Sequence, residues 1–210
     1  MEKEFYLFDF DGVLVDSMEF WAGLHMQTLR DAGIPVPEDF VETITPLGNH
    51  NAAKHTLSLG VDIPLDTYLD SVYQKLYHGY TTHIALKAHV RETLLRLKEM
   101  GISVNVLTAS PHYYVDPCLQ RGGIFELFEN VWTIDDFGLT KAQPEIYRQA
   151  AQRLGAEPDS CTMFDDNLIA ISTAKEAGLK TVAVYDSTSK AAEAAMRATA
   201  DRYVYDFSEI

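Results

Sequence analysis

Cysteine is scarce in this 210-residue chain, and basic residues are heavily outnumbered. The two cysteines, Cys118 and Cys161, have neither CxxC spacing nor the density of a disulfide scaffold. They are expected to be buried structural thiols of a reducing compartment. Lys and Arg number 17 against 31 Asp and Glu, a formal net charge of −14. Such a chain repels phosphodiester backbones and anionic lipid heads, which argues against nucleic acid or a membrane surface as its main partner. A small anion is not excluded, because a local pocket of lysine, metal and backbone N–H groups can oppose the overall field. No apolar run approaches the ~20 residues of a membrane span. The first residues, Met1-Glu2-Lys3-Glu4, carry acids where a signal peptide needs bases. The expected location is therefore the cytoplasm. What the chain does have is an ordinary apolar fraction, 47%, enough for a real core in one large or two small domains.

Residues 4–15 form an apolar, β-prone run whose charges past Glu4 are two aspartates beside a glycine, which predicts a buried strand over 5–10 running into a loop. From residue 16 to about 82 the texture is helical, with helices predicted over 18–32, 38–44, 52–59 and 65–80. Beyond His89, helices (90–100, 113–121, 145–154, 168–177, 190–199) alternate with short apolar strands (102–107, 131–134, 161–164, 181–185, 202–205). Gly101 and Gly178 are helix stop signals, each followed by a strand within two residues. This alternation implies an α/β class: a Rossmann-like parallel sheet covered on both faces. The predicted domains are an α/β core of residues 1–15 and 83–210 and an inserted all-helical cap of residues 16–82.

In open parallel sheets the ligand sits outside the carboxyl ends of the strands, so chemistry is sought there. After the first strand come Asp9 and Asp11, two carboxylates between phenylalanines. Burying like charges together is costly unless a cation or hydrogen-bond donors compensate, so the pair implies a metal. An Asp-Gly turn needs only one such residue. After the next strand, Thr108-Ala109-Ser110-Pro111 offers a hydroxyl and N–H groups at a helix start, an anion site that is spelled the same way as a plain N-cap. Lys141 precedes another helix; a lone lysine there is ordinarily a solvated charge. The strand over 161–164 ends in Asp165-Asp166-Asn167, of which an N-cap explains one residue. Two acid pairs, a hydroxyl with amides and a lysine together suit a divalent cation and a phosphate.

The order and wording of these segments resemble the haloacid dehalogenase superfamily, among the members whose helical cap follows the first motif. Phe8-Asp9-Phe10-Asp11-Gly12-Val13-Leu14-Val15-Asp16-Ser17 is similar to its first motif and Leu107-Thr108-Ala109-Ser110 to its second. Lys141 to Glu145 matches the third, Lys-Pro-x-Pro-Glu, with Ala142 for the first proline. Asp165-Asp166-Asn167 followed by Ala177-Gly178 matches the fourth, usually Glu-Asp-Ser. The resemblance implies Asp9 as nucleophile, Asp11 as general acid and base, and Mg²⁺ held by Asp9, the Asp11 carbonyl and Asp166 with Asp165 auxiliary. It further implies that Thr108, Ala109 and Lys141 hold the phosphoryl oxygens.

Dehalogenases and phosphonate hydrolases of this superfamily lack the second aspartate of the first motif, so Asp11 favours phosphoryl transfer. The function implied is that of a Mg²⁺-dependent phosphatase acting on a small phosphorylated metabolite, as a monomer. A β-phosphoglucomutase-like sugar-phosphate mutase is the rival. In that family a cap histidine restrains hydrolysis; the corresponding position here is Trp21, with His25 one turn later. A third reading is a binding protein that keeps the fold without catalysis. Substrate choice is assigned to the cap, where Trp21, Gly48, Asn49, His50 and Lys54 are the candidates. Tyr73, Tyr77 and Tyr80 have the spacing of a core stripe. His89 stands where relatives usually have glycine, a departure with no functional reading.

Overall fold

The computed structural model describes residues 3–210. Strand β1 (Phe5–Phe8) leads into four helices, α1 (Met18–Asp31), α2 (Phe40–Ile44), α3 (Gly48–Ser58) and α4 (Leu65–Thr82). Then follow α5 (Val90–Glu99), β2 (Ser103–Thr108), α6 (His112–Arg121), β3 (Asn130–Thr133), α7 (Pro144–Leu154), β4 (Cys161–Asp165), α8 (Leu168–Glu176), β5 (Lys180–Val184), α9 (Glu193–Thr199) and β6 (Arg202–Val204). The strands form one parallel sheet in the order β3-β2-β1-β4-β5-β6. This is the α/β, Rossmann-like arrangement expected from the alternation. Among the described residues no helix is long and apolar enough to cross a membrane.

Both faces of the sheet are covered, and the two-residue period of the strands divides their side chains between them. Phe5 and Leu7 of β1 and Cys161 and Met163 of β4 pack against Ile146, Tyr147, Ala150 and Ala174 of α7 and α8. Phe8, Val106, Phe164 and Val182 point the other way, into a cluster continuous with α5, α6 and the helices of residues 18–82. Both cysteines are free and buried, as expected.

Strand β1 ends two residues earlier than its composition suggests. The Asp9 N–H still reaches the Phe164 carbonyl at 2.9 Å, but the Phe10 carbonyl takes the Leu14 and Val15 N–H groups at 2.9 and 3.1 Å and closes a tight turn. The chain then leaves along residues 14–16 and returns along 85–87. These two passages pair, Asp16 N–H to the Ala85 carbonyl and Lys87 N–H to the Leu14 carbonyl, both at 3.0 Å. Helix α3 starts four residues before the predicted position, fed by a 3₁₀ turn at Thr45–Leu47 and a bend at Gly48 (φ 68°). The helix predicted over 190–199 is divided. Asp186 accepts the Thr188 N–H and hydroxyl, which imposes a 3₁₀ turn over Ser187–Ala192 before α9.

Candidate active site

Strand order reverses at β1, whose neighbours β2 and β4 run to either side, so the carboxyl ends of these three strands lie side by side at the place where open α/β sheets have their ligand crevice. Asp9 leaves β1, Thr108 ends β2 and Asp165 ends β4. Asp9, Asp165 and Asp166 each present an oxygen within 4.8 Å of the others, and all three residues are buried. Lys141, on the approach to α7, lies 2.7 Å from Asp9 Oδ1 and 2.8 Å from Asp165 Oδ2. Burial works against its charge, but Asp165 and Asp9 outweigh that and hold the ammonium above its ordinary value. The Tyr147 hydroxyl donates to the Lys141 carbonyl at 3.0 Å and fixes the approach to α7.

The second acid pair is unevenly satisfied. Asp165 is bound at both oxygens, by Lys141 and by the Asn167 N–H at 2.9 Å. Burial first, then Asp9, push it up to about 6 against the opposing pull of Lys141. Among the described residues Asp166 has a single hydroxyl donor, Ser189 at 3.3 Å. Burial, followed by the charges of Asp165, Asp9 and Asp186, holds its carboxyl well above the usual range. Three hard oxygens in a buried cluster, one of them short of donors, fit a small divalent cation. Gly12 packs onto this carboxylate: a Cβ there would lie 2.5 Å from Asp166 Oδ2, and φ is +70°. Asn167 is the N-cap of α8, accepting from the Ile169 and Ala170 N–H groups.

Asp11 points to a different set of partners. Ser17 and Tyr80 hydroxyls donate to Oδ1 at 2.6 Å each, and the Ser110 hydroxyl donates to Oδ2 at 2.5 Å. Burial raises the pKa of Asp11, the three hydroxyls pull it back down, and the nearby charge of Asp9 raises it further. Tyr80 comes from α4, its ring stacked on Tyr114 and tilted against Phe10. Its spacing predicts core, and it is core, but its hydroxyl also belongs to the site. Thr108 is buried, its Oγ1 accepting the Ser110 N–H at 3.1 Å, whereas Ala109 is exposed.

The expected substrate-reading residues are not all together. The Trp21 indole donates to Asn49 Oδ1 at 2.5 Å, so these two are joined, but Trp21 is buried. Gly48, Asn49 and His50, ahead of the helix predicted over 52–59, form the first turn of α3, and His50 and Lys54 are exposed to solvent. His25 is fully enclosed, with Nδ1 2.8 Å from the Tyr68 hydroxyl and 3.1 Å from Thr56 Oγ1. Buried among these residues, it offers no ring edge to a substrate. Tyr80 and Lys87 were missed as site residues. The first hides in a helical stripe; the second is the single charge of an apolar stretch, and its partner is 99 residues away.

A family model described as haloacid dehalogenase-like hydrolase matches residues 6–184. The chain belongs to this family. It is 31% identical over 181 residues to pyrophosphatase PpaX of Bacillus velezensis, covering 85% of this chain and 81% of that one. Hexitol phosphatase B of Escherichia coli is 21% identical over 192 residues, covering 85% and 82%. Among solved structures, CbbY of Rhodobacter sphaeroides in complex with phosphate superposes with a TM-score of 0.79 at 24% identity, covering 99% of this chain and 96% of that one, a likeness of fold. The family's hydrolases thus include relatives named as phosphatases.

Proposed function

We propose that this chain is a Mg²⁺-dependent phosphatase that hydrolyses a small phosphomonoester through an aspartyl phosphate on Asp9. The observation that carries the reading is the buried meeting of Asp9, Asp165 and Asp166 oxygens at the sheet's switch point, with Lys141 bridging two of them. Asp9, the Asp11 carbonyl and Asp166 would hold the cation, with Asp165 auxiliary. When bound, it would neutralise carboxylate charge and polarise the phosphoryl oxygens. Lys141, the Thr108 hydroxyl and the Ala109 N–H would bind those oxygens and orient phosphorus toward Asp9.

An Asp9 oxygen forms the new P–O bond as the bond to the leaving oxygen breaks, and Asp11 gives its proton to that oxygen. Asp11 then takes a proton from water, whose oxygen attacks phosphorus and breaks the Asp9–phosphoryl bond, releasing inorganic phosphate. Burial that raises the carboxyl of Asp11 favours its starting the cycle protonated.

Residues 16–82 are assigned as a cap over this crevice, residues 1–15 and 83–210 as the core. The enclosure of His25 weighs for hydrolysis over a mutase. The relatives' names put sugar-alcohol phosphates and pyrophosphate first in a substrate panel. The protein is assigned to the cytoplasm as a monomer. Replacing Asp9 by Asn should abolish release of phosphate from p-nitrophenyl phosphate with Mg²⁺ while leaving the circular dichroism spectrum unchanged. Near-normal turnover by that variant overturns the mechanism, and isomer formation from β-glucose 1-phosphate without free phosphate returns the mutase.

A further inference from the structure

Lys87 takes no part in the steps above, yet it lies where the returning chain meets the site. Its ammonium is 2.5 Å from the Gly12 carbonyl, 2.9 Å from the Tyr185 carbonyl and 2.9 Å from Asp186 Oδ2. An ammonium has three N–H donors, and these contacts use all of them. The side chains of Lys87 and Asp186 are 19% and 3% exposed, so the pair is largely withdrawn from water.

Two branches lead from this ammonium to the proposed cation ligands. The first is direct: Gly12 follows Asp11, whose carbonyl is a ligand in the reading above, and Gly12 itself abuts the Asp166 carboxylate. The second runs through Asp186. With Oδ2 on Lys87, Oδ1 accepts the Thr188 N–H at 3.0 Å and the Thr188 hydroxyl at 2.7 Å. That fixes the Ser187–Ala192 turn, from which the Ser189 hydroxyl reaches Asp166 Oδ2 at 3.3 Å. Through Asp186 and the Ser187–Ala192 turn, Lys87 thus links the backbone of the turn after β1 to the carboxylate after β4, pieces more than 150 residues apart in the chain.

We propose that Lys87, acting with Asp186, is a positioning residue for the cation site: it sets the spacing between the Asp11 carbonyl and the Asp166 carboxylate. The inference rests on the metal-dependent reading above. A small cation that demands near-octahedral geometry tolerates little error in that spacing, and outer partners of metal ligands typically change affinity by about 10–100-fold. A brace that only fastened the returning chain to the sheet would affect stability and leave affinity alone.

Titrating Mn²⁺ alone into the full chain by calorimetry, without substrate, separates these outcomes when each protein's Tm is also measured in EDTA. Lys87→Met is expected to raise the Kd for Mn²⁺ about tenfold or more. Ser189→Ala, which leaves the ion pair intact, is expected to raise it less, in the same direction. Should Lys87→Met fail to fold in EDTA, Asp186→Asn, which keeps the lysine but removes its charged partner, carries the test with the same expected direction. Kd values within twofold of wild type, with or without a lower Tm, overturn the proposal. A wild-type protein that binds no Mn²⁺ overturns the metal-dependent reading itself, whereas tight wild-type binding with unaltered variants overturns only the role of Lys87.

Discussion

Three hydroxyls converge on Asp11, and one of them, from Tyr80, belongs to a helix far from the first motif in sequence. Replacing Tyr80 by Phe keeps the ring stacked on Tyr114 but removes the donor that orients Oδ1. Positioned acid–base groups contribute about 10²–10⁴-fold, so a loosened one should cost roughly tenfold or more in kcat. Steady-state kinetics should show that loss with KM little changed. His25 makes a different kind of prediction. Burial lowers its pKa from 6.5 to about 4. The unfolded chain therefore binds a proton that the folded one refuses between those values, and stability falls as pH drops from about 6.5 to about 4. The loss is on the order of 3 kcal/mol. Denaturant unfolding across this window should show it, and His25→Gln should flatten the slope.

Among the elements, α5 begins at the one non-glycine residue with a left-handed backbone in the described chain, His89 (φ 63°). Glycine would take this conformation without strain. A β-branched side chain is least suited to this region, at a cost of about 1–2 kcal/mol. Thermal unfolding should therefore find His89→Val destabilised by that amount and His89→Gly neutral or more stable. The elements most legible in the sequence were those with sharp local signals. Gly101 and Gly178 close helices, and the apolar runs around Val106 and Met163 admit little but buried strand. Helix α3 was legible only in its second half. Asn49, His50 and Asn51 give no periodic apolar signal, and the bend that launches the helix depends on a single glycine. The split before α9 was hidden as well, because it depends on the Asp186 side chain, not on any break in composition.

At the scale of the whole molecule, the buried acids oppose one another's ionisation, and the proposed cation would relieve that opposition. Mg²⁺ at 100 times its Kd should stabilise the protein by about 2.7 kcal/mol, a Tm rise of roughly 5–10 °C for a chain of this length. Differential scanning fluorimetry with and without EDTA measures it. Asp166→Asn removes a buried carboxyl whose charged form is opposed by burial and by Asp165. In EDTA this variant should be at least as stable as wild type, and it should lose the response to Mg²⁺. The carboxylates themselves were legible because two strand ends, after β1 and β4, each placed a pair of acids beside an apolar run. The supports around them were not: Tyr80 with Asp11 and Lys87 with Asp186 are pairs distant in sequence that only the folded chain brings together, and a lysine or tyrosine alone carries no mark of its partner.

The two thiols have a practical consequence. Cys118 and Cys161 are buried, and burial pushes each up to about 11. Since the thiolate is the reacting form, both should resist modification by thiol-directed dyes in the folded protein. A single His50→Cys replacement, on the exposed first turn of α3, would then accept a fluorophore selectively, turning a cysteine-poor chain into a reporter of whether this helix moves when phosphate arrives.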